Sequence, residues 1–246
     1  MSATILKPIP FKWSWSALKS YRTCPKRHYE VNLQKNYGDP GGPNRKWGDD
    51  FHDAMAKRLS QKRMLPAAYK DYEQLADFVE RRADGAQMRV ELQIAINRKF
   101  QKCDYYDPEV WHRSRIDVLI KRNERVTIID WKTGKVDPDT TQLMLNAACV
   151  FAHYPNVEVV SAHYVWIGDG RFSTTDDHFC RGKSHYMETP KGEVAVHSMI
   201  DLWTNLLPEL SDMEKAYAER DFPATPSGLC KAHCSVLSCI HNGQKT

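Results

Sequence analysis

The chain has 246 residues, enough for one large domain or two small ones, and its 41% hydrophobic and 27% charged residues are ordinary for a globular protein. No apolar run approaches the roughly 20 residues of a membrane helix. The start, "MSATILKPIPFKW", lacks the basic start, apolar stretch and small-residue cleavage site of a secretory signal, so a cytoplasmic protein is expected. The net charge of +4 is modest but unevenly spread: through Arg63 there are thirteen Lys and Arg against five Asp and Glu. Phe11, Trp13, Trp15, Tyr21 and Tyr29 are interleaved with them. That mixture suits a nucleic-acid face, with cations on phosphates and rings on bases; it suits equally a basic surface over an aromatic core.

In chain order, an extended start leads into a helix that Ser14 or Ser16 caps, with Leu18, Tyr21 and Tyr29 roughly on one face. "YGDPGGPN" is a loop by composition. From Lys46 to about Gln93 the pattern is mostly helical, with Phe51, Met55 and Leu59 at four-residue spacing. "RSRIDVLIKR" and "RVTIIDWKT" form a strand pair joined by a polar turn at Asn123-Glu124. "DPDTTQLMLNAACVFAHY" is a capped helix, "VEVVSAHYVWI" a buried strand, and "GRFSTTDDHF" a further strand. "HSMIDLWTNLLPELSDMEKAYAERDF" is a long helix interrupted or bent at Pro208, and the tail after it has no helical period. The succession predicts one α/β domain with appended ends.

The chemistry concentrates in "IIDWKTGK", residues 128–135. Side chains two apart on a strand share a side, so Asp130 and Lys132 project together, and Asp117 in the preceding strand faces Asp130 across the hairpin. Two neighbouring carboxylates repel unless a positive charge lies between them. A divalent cation with oxygen ligands, Mg²⁺ or Mn²⁺, answers that need, and a lysine alongside can orient a water or offset charge on phosphate. The same three residues also describe a strand-end ion pair. Glu91, in "VELQIAI", is expected to face solvent rather than join the metal.

There are seven cysteines, an odd number, which argues against a complete disulfide framework. Cys103, Cys149 and Cys180 are scattered, whereas Cys230, Cys234 and Cys239 lie within ten residues on an irregular tail. Thiolates so spaced wrap a zinc ion or an iron–sulfur cluster, and each needs a fourth ligand.

Asp117 followed by Asp130-Trp131-Lys132 resembles the signature of the PD-(D/E)XK nuclease superfamily. "DWKTGK" is similar to its RecB-type exonuclease branch and to the CRISPR-adaptation nucleases. Further marks occur in order: Ser14, Ser16, Leu18, Tyr21, Cys24 and Pro25 in "SWSALKSYRTCPKRHYE", Gly48 and His52 in "WGDDFHDAM", and Gln142 in "TTQLML". The resemblance spans Ser14 to Cys239. It implies a restriction-endonuclease-like core, a central mixed sheet flanked by helices, in one nuclease domain over 1–246. Residues 46–220 would carry the helical segment and catalytic core, and 14–30 with 221–246 the cysteine-cluster region. By the same resemblance His52, Asp117, Asp130 and the backbone carbonyl of Trp131 hold Mg²⁺ or Mn²⁺. Lys132 positions the attacking water, and Gln142 supports Lys132 or a DNA phosphate. Cys24 joins Cys230, Cys234 and Cys239 around a 4Fe-4S cluster, or a structural zinc, that staples the two ends of the chain together. Their spacing differs from the branch's usual one and leaves His233 or His241 open as ligands. "RSRID" lacks the glycine often found before the first aspartate, and Asn146 stands where a tyrosine is frequent; both concern substrate handling.

The implied activity is metal-dependent exonucleolytic hydrolysis of DNA ends or single strands, in recombination, repair or replication. A helicase or recombinase is a possible partner. Compact members of the branch are frequent in bacteriophages, which points to a phage-encoded protein in the host cytoplasm. A catalytically silent DNA-binding scaffold and a structure-specific endonuclease are the alternatives.

Overall fold

The computed structural model describes residues 9–39, 41, 45–168, 170–190 and 192–244. Part of the expected "YGDPGGPN" loop therefore lies outside the described residues. The chain divides into two compact units, one of residues 42–204 and one of 1–41 with 205–246.

The larger unit opens with α3 (Arg45–Gln61), after α1 (Trp15–Thr23) and α2 (Pro25–Arg27) of the other unit. A 3-10 turn over Ala67–Tyr72 and α4 (Glu73–Ala83) follow. Then come β1 (Gln87–Asn97), β2 (Lys102–Cys103), β3 (Val110–Arg122), β4 (Arg125–Lys132), α5 (Thr141–His153), β5 (Val159–Gly168), β6 (Arg171–Cys180), β7 (His185–Thr189) and β8 (Gly192–Ser198). The strands form one eight-stranded mixed sheet in the order β2-β1-β3-β4-β5-β6-β8-β7. The β3–β4 hairpin is antiparallel, and Asn123 at φ 53° supplies its left-handed turn position. β4 and β5 are parallel, which requires a crossover, and α5 is that crossover. The α/β architecture with helices flanking a mixed sheet matches the expected fold class.

Three features differ from the sequence reading. The helical stretch ends at Ala83, and Gln87–Asn97 is a strand paired with β3 along its length. Its Ile94, Ala95 and Ile96 are fully covered, so β-branched residues packed on both faces outweigh helical spacing. The β7–β8 hairpin has no counterpart in the sequence reading. α6 (Met199–Glu219) keeps Pro208 inside one continuous helix, running from the larger unit into the smaller.

The apolar stripe read from α3 is its buried face. Phe51, Met55 and Leu59 pack with Leu75, Ala76 and Val79 of α4 against Val118, Ile120, Ile129, Trp131 and Val165 of the sheet. Phe51 lies edge-on to Trp131 at 6.4 Å and to Tyr69 and Tyr72 at 5.5 and 5.3 Å. Arg58, on the same helix, is buried and reaches Glu73, Asp77 and Glu80 of α4 at 2.7, 2.6 and 2.8 Å.

In the smaller unit Ser14 caps α1, its Oγ accepting from the Ala17 N–H. Trp13 and Trp15 are buried, Phe11 lies edge-on to Tyr217 at 5.1 Å, and Tyr29 stacks on Phe222 at 4.7 Å. Trp13 and Trp15 are thus core, whereas Phe11, Tyr21 and Tyr29 are half-buried. His28 is buried and its Nε2 is 2.6 Å from the Tyr217 hydroxyl. Burial alone lowers its pKa to about 4.

Candidate active site

The carboxylates converge where β3 and β4 part. The last paired residues are Val118 and Ile129, so Asp117 and Asp130 are the next step on each strand. Instead of pairing backbone to backbone, Asp117 accepts the Trp131 N–H on Oδ2 at 2.8 Å. That bond satisfies a backbone donor where the ladder stops and fixes the carboxylate between the strands.

α3 brings in the histidine. His52 Nδ1 lies 3.3 Å from Asp117 Oδ2. Burial opposes protonation of His52, but the hydrogen bond to Asp117 and the charges of Asp117, Asp130 and Glu91 outweigh it, and its pKa is raised. The helix can sit this close because Gly48, one turn earlier, has no side chain: a Cβ there would be 2.5 Å from Thr133 Oγ1.

Glu91 is the correction to the sequence reading. Ligand atoms of His52, Glu91 and Asp117 all lie within 4.8 Å of one another, so Glu91 is turned into the site and not to solvent. The physical reason is its backbone. Glu91 has φ 53°, a left-handed conformation inside a strand, and drops out of an otherwise regular ladder between Val90↔Val118 and Leu92↔Ile116. Such strain persists where the surrounding structure holds it. Alternation counted along "VELQIAI" cannot anticipate it. Burial and then Asp117 raise the Glu91 pKa, against the opposing charge of Arg115, with which Glu91 forms an ion pair.

Asp130, Lys132 and Gln142 form the second half. Lys132 Nζ is 2.6 Å from Asp130 Oδ2 and donates to Gln142 Oε1 at 2.8 Å, while Gln142 Nε2 donates to Asp130 Oδ1 at 3.0 Å. Gln142 stands in the first turn of α5, so the crossover helix closes a three-membered ring around the lysine. The Lys132 ammonium also sits 4.8 Å from the Tyr164 ring centre, and Tyr164 pairs in register with Asp130 on β5. Tyr164 escaped the sequence reading because only that register brings it near. Burial, then the Asp117 charge, raises the pKa of Asp130 even with Lys132 beside it. Trp131 alternates to the other side, its indole in the core with Phe51.

The donor set fits a divalent cation. It offers one imidazole nitrogen and carboxylate oxygens, and two of its carboxyls are held protonation-prone by burial and by Asp117. Mg²⁺ or Mn²⁺ suits oxygen donors, and imidazole is acceptable to Mn²⁺.

Cys24, Cys230, Cys234 and Cys239 lie in the smaller unit, and Cys103, Cys149 and Cys180 in the larger. All seven are free thiols. Cys24 ends α1 and precedes α2; its Sγ accepts the Thr225 N–H at 3.4 Å, and Lys26 N–H donates to Pro223 O at 3.1 Å. Cys230 Sγ accepts the Ser227 N–H at 3.4 Å, while Cys234 and Cys239 pack with Val31 and Val236. Among the described residues no three of these thiols lie within the 4.8 Å that gathers the His52 group.

Buried carboxylates, a histidine and a caged lysine at the parting of two central strands are groups that phosphate-ester chemistry can use. The family comparison gives the class: the PD-(D/E)XK nuclease superfamily model matches residues 12–239, and the chain belongs to that superfamily. Membership implies a nuclease with DNA as substrate and divalent cations as its metals. Among solved structures, one called "Putative exonuclease" from Eubacterium rectale is similar over 87% of this chain and 84% of its own, with TM-score 0.50 and 10% identity. Another, called SSO0001, is 14% identical over 70% of this chain and 69% of its own, with TM-score 0.37. At these identities the first likeness supports the fold alone. No curated protein matches the chain.

Proposed function

We propose that the protein is a Mg²⁺- or Mn²⁺-dependent deoxyribonuclease that acts as an exonuclease on DNA ends or single strands. The observation that carries this is the convergence of His52, Glu91 and Asp117 beside the Asp130–Lys132–Gln142 ring. Bound there, the cation would acidify a water and offset charge on the phosphate. His52, Glu91 and Asp117 would hold it, with Asp130 and the Trp131 carbonyl completing the set. Lys132 orients the attacking water and stabilises charge growing on the phosphate oxygens. Gln142 and Asp130 fix where Nζ points, and the Tyr164 ring keeps the ammonium from swinging away.

Cys24, Cys230, Cys234 and Cys239 hold a 4Fe-4S cluster in this reading, and 14–30 with 221–246 form its region. The Thr225 N–H donates to the Cys24 sulfur and the Ser227 N–H to the Cys230 sulfur, as backbone donors do to the sulfurs of a cluster, and the segment at 223–225 already lies against Cys24 and Lys26. The work of such an enzyme is recombination, repair or replication in the cytoplasm, where a helicase or recombinase supplies ends.

The test is incubation of end-labelled single-stranded DNA, end-labelled duplex and closed circles with Mn²⁺, beside Lys132→Ala and Asp117→Ala. Metal-dependent loss of ends that both variants abolish is expected. Cleavage of closed circles would make it an endonuclease. No cleavage of any substrate would leave a DNA-binding scaffold.

A further inference from the structure

β3 continues past the site and carries two arginines on one side. His112, Ser114 and Ile116 are buried, while Arg113 and Arg115 alternate with them and project together from the open side of the strand. Arg115 is the first step from Asp117. Its side chain is 59% exposed and pairs with Glu91 of the metal-binding group. Arg113 is the second step, roughly 13 Å along the strand from Asp117. Its guanidinium lies 5.2 Å from the Tyr105 ring and 5.6 Å from the Tyr106 ring. Its Nε is buried without a hydrogen-bond partner, so ring contact rather than a carboxylate holds that end of the guanidinium. The two rings meet edge to face at 5.1 Å, and Tyr106 is 74% exposed.

A surface arginine normally pairs with a carboxylate or with water. Asp104, Asp107 and Glu109 stand a few residues before Arg113 in the chain, yet the guanidinium rests against the two tyrosines. A guanidinium held against two rings, with its Nε edge buried, keeps its charge and its outer N–H groups in place for an anion. An exposed ring beside it offers a face on which an unpaired base can stack, which duplex DNA does not present. Two cations at strand spacing, beginning beside the metal group, mark a direction as well as a charge.

We propose that Arg115, Arg113, Tyr105 and Tyr106 form a track for a single strand of DNA leading from the metal site. Arg115 and Arg113 take successive backbone phosphates, Tyr106 stacks a base, and Tyr105 braces the Arg113 guanidinium. The proposal rests on the nuclease reading for its substrate, but its test does not need turnover.

Binding of a fluorescein-labelled oligo-dT is measured in EDTA, over a salt series, with the full chain. Tyr106→Ala is expected to weaken binding roughly 5- to 150-fold, the range for losing one stacked base, and Tyr106→Phe to stay within about twofold. Arg113→Gln is expected to lower the slope of log affinity against log salt by about 0.7, one phosphate on a single strand; Arg113→Lys keeps the slope. The track is overturned if Tyr106→Ala and Arg113→Gln both bind as wild type. It is overturned equally if the losses are the same on blunt duplex as on oligo-dT. Failure of the nuclease reading shows separately, as wild-type protein that binds oligo-dT and cuts nothing with Mn²⁺.

Discussion

Gly48 and Thr133 approach so closely that a single methyl group on the glycine would lie 2.5 Å from the threonine hydroxyl oxygen. The contact joins α3, which carries His52, to the end of the strand that carries Lys132. Elsewhere in a helix Gly→Ala gains about 1 kcal/mol. Here overpacking costs typically 1–3 kcal/mol and must push α3 away from the strand. Gly48→Ala is therefore expected to lose about 1 kcal/mol or more of stability and most Mn²⁺-dependent cleavage. Thr133→Ala removes the offending oxygen and leaves Cβ at an ordinary distance, so Gly48→Ala/Thr133→Ala should recover both. Urea midpoints and cleavage rates of the three variants check this. A double variant as impaired as Gly48→Ala would mean that the glycine serves something other than that contact.

Glu91 is held in the left-handed region at φ 53°. A residue with a Cβ spends about 1 kcal/mol or more there that glycine does not. Glu91→Gly should accordingly raise the urea midpoint, although it also removes the ion pair with Arg115. It should weaken Mn²⁺ binding by roughly tenfold or more, as loss of a group at a metal site does. Glu91→Gln separates the two effects: the metal affinity falls and the strain stays. Calorimetric Mn²⁺ titration beside denaturation measures both. Unchanged affinity in both variants would remove Glu91 from the site.

What could be read in the sequence, and what could not, follows from how far each relation reaches along the chain. Asp130 and Lys132 are two apart on a strand, and Asp117 is one hairpin away, so local periodicity brings them together. The β3, β4, α5 and β5 succession is legible for the same reason. Glu91 is different, because its direction depends on one unusual φ, which nothing in "VELQIAI" announces. Tyr164 depends on the register of a parallel pair formed through α5, and Arg113 on a loop folding two tyrosines over it. The amino-terminal aromatics show the opposite limit. Interleaved with basic residues they resemble a binding face, yet Trp13 and Trp15 are buried, since composition carries no direction.

Cys24 bears on the cofactor. If its thiolate, with Cys230, Cys234 and Cys239, holds an iron–sulfur cluster, then protein purified without oxygen is brown and carries about four iron atoms. Cys24→Ser should lose most of the iron and the visible absorbance. It should also leave residues 221–246 open to proteolysis, because metal binding and folding of such a segment are linked. Zinc in place of iron would change the metal and keep the staple. Wild-type protein with neither metal, and a Cys24→Ser tail as resistant as wild type, would remove both.

Arg58 holds α3 to α4. It faces Glu73, Asp77 and Glu80 with its side chain 8% exposed. Removing it leaves three carboxylates together, with Lys62, which reaches Glu80 at 2.6 Å, as the remaining cation paired with them among the described residues. Loss of one partner from a buried charge cluster costs about 3–5 kcal/mol, and the exposure of Asp77 places Arg58→Ala at the lower end. Arg58→Lys keeps the charge but cannot donate in three directions, so it should recover less than half. Because His52 rides on the same helix, weaker Mn²⁺ binding should accompany the stability loss in both variants. Normal metal affinity in a destabilised Arg58→Ala would show that α3 keeps its place without the arginine.

His112 sets a pH dependence away from the metal group. It is fully buried on β3 with Nε2 3.0 Å from Ser114 Oγ, and burial lowers its pKa to about 3. Unfolded, a histidine titrates near 6.5. Above that value both states hold a neutral ring and pH has no effect through this group. As pH falls below 6.5 the unfolded chain takes up a proton that the folded one refuses, so stability drops by roughly 1.4 kcal/mol per pH unit until the folded value is reached near 3. Carboxylates with lowered pKa values, such as Glu73 and Glu80, add their own losses only further down. His28 in the smaller unit adds to this decline, while His52, Glu91 and Asp130, whose pKa values are raised, act in the opposite sense, so the His112 part is read as the difference between wild type and a His112→Gln variant. Urea unfolding of wild type and variant at pH 8, 6 and 5 isolates the His112 part of the decline. His112→Gln, which keeps a hydrogen-bonding group for Ser114, should flatten the part of it that reports on the larger unit, whatever its stability at pH 8. An unchanged slope in that variant would mean that His112 takes up its proton in the folded chain.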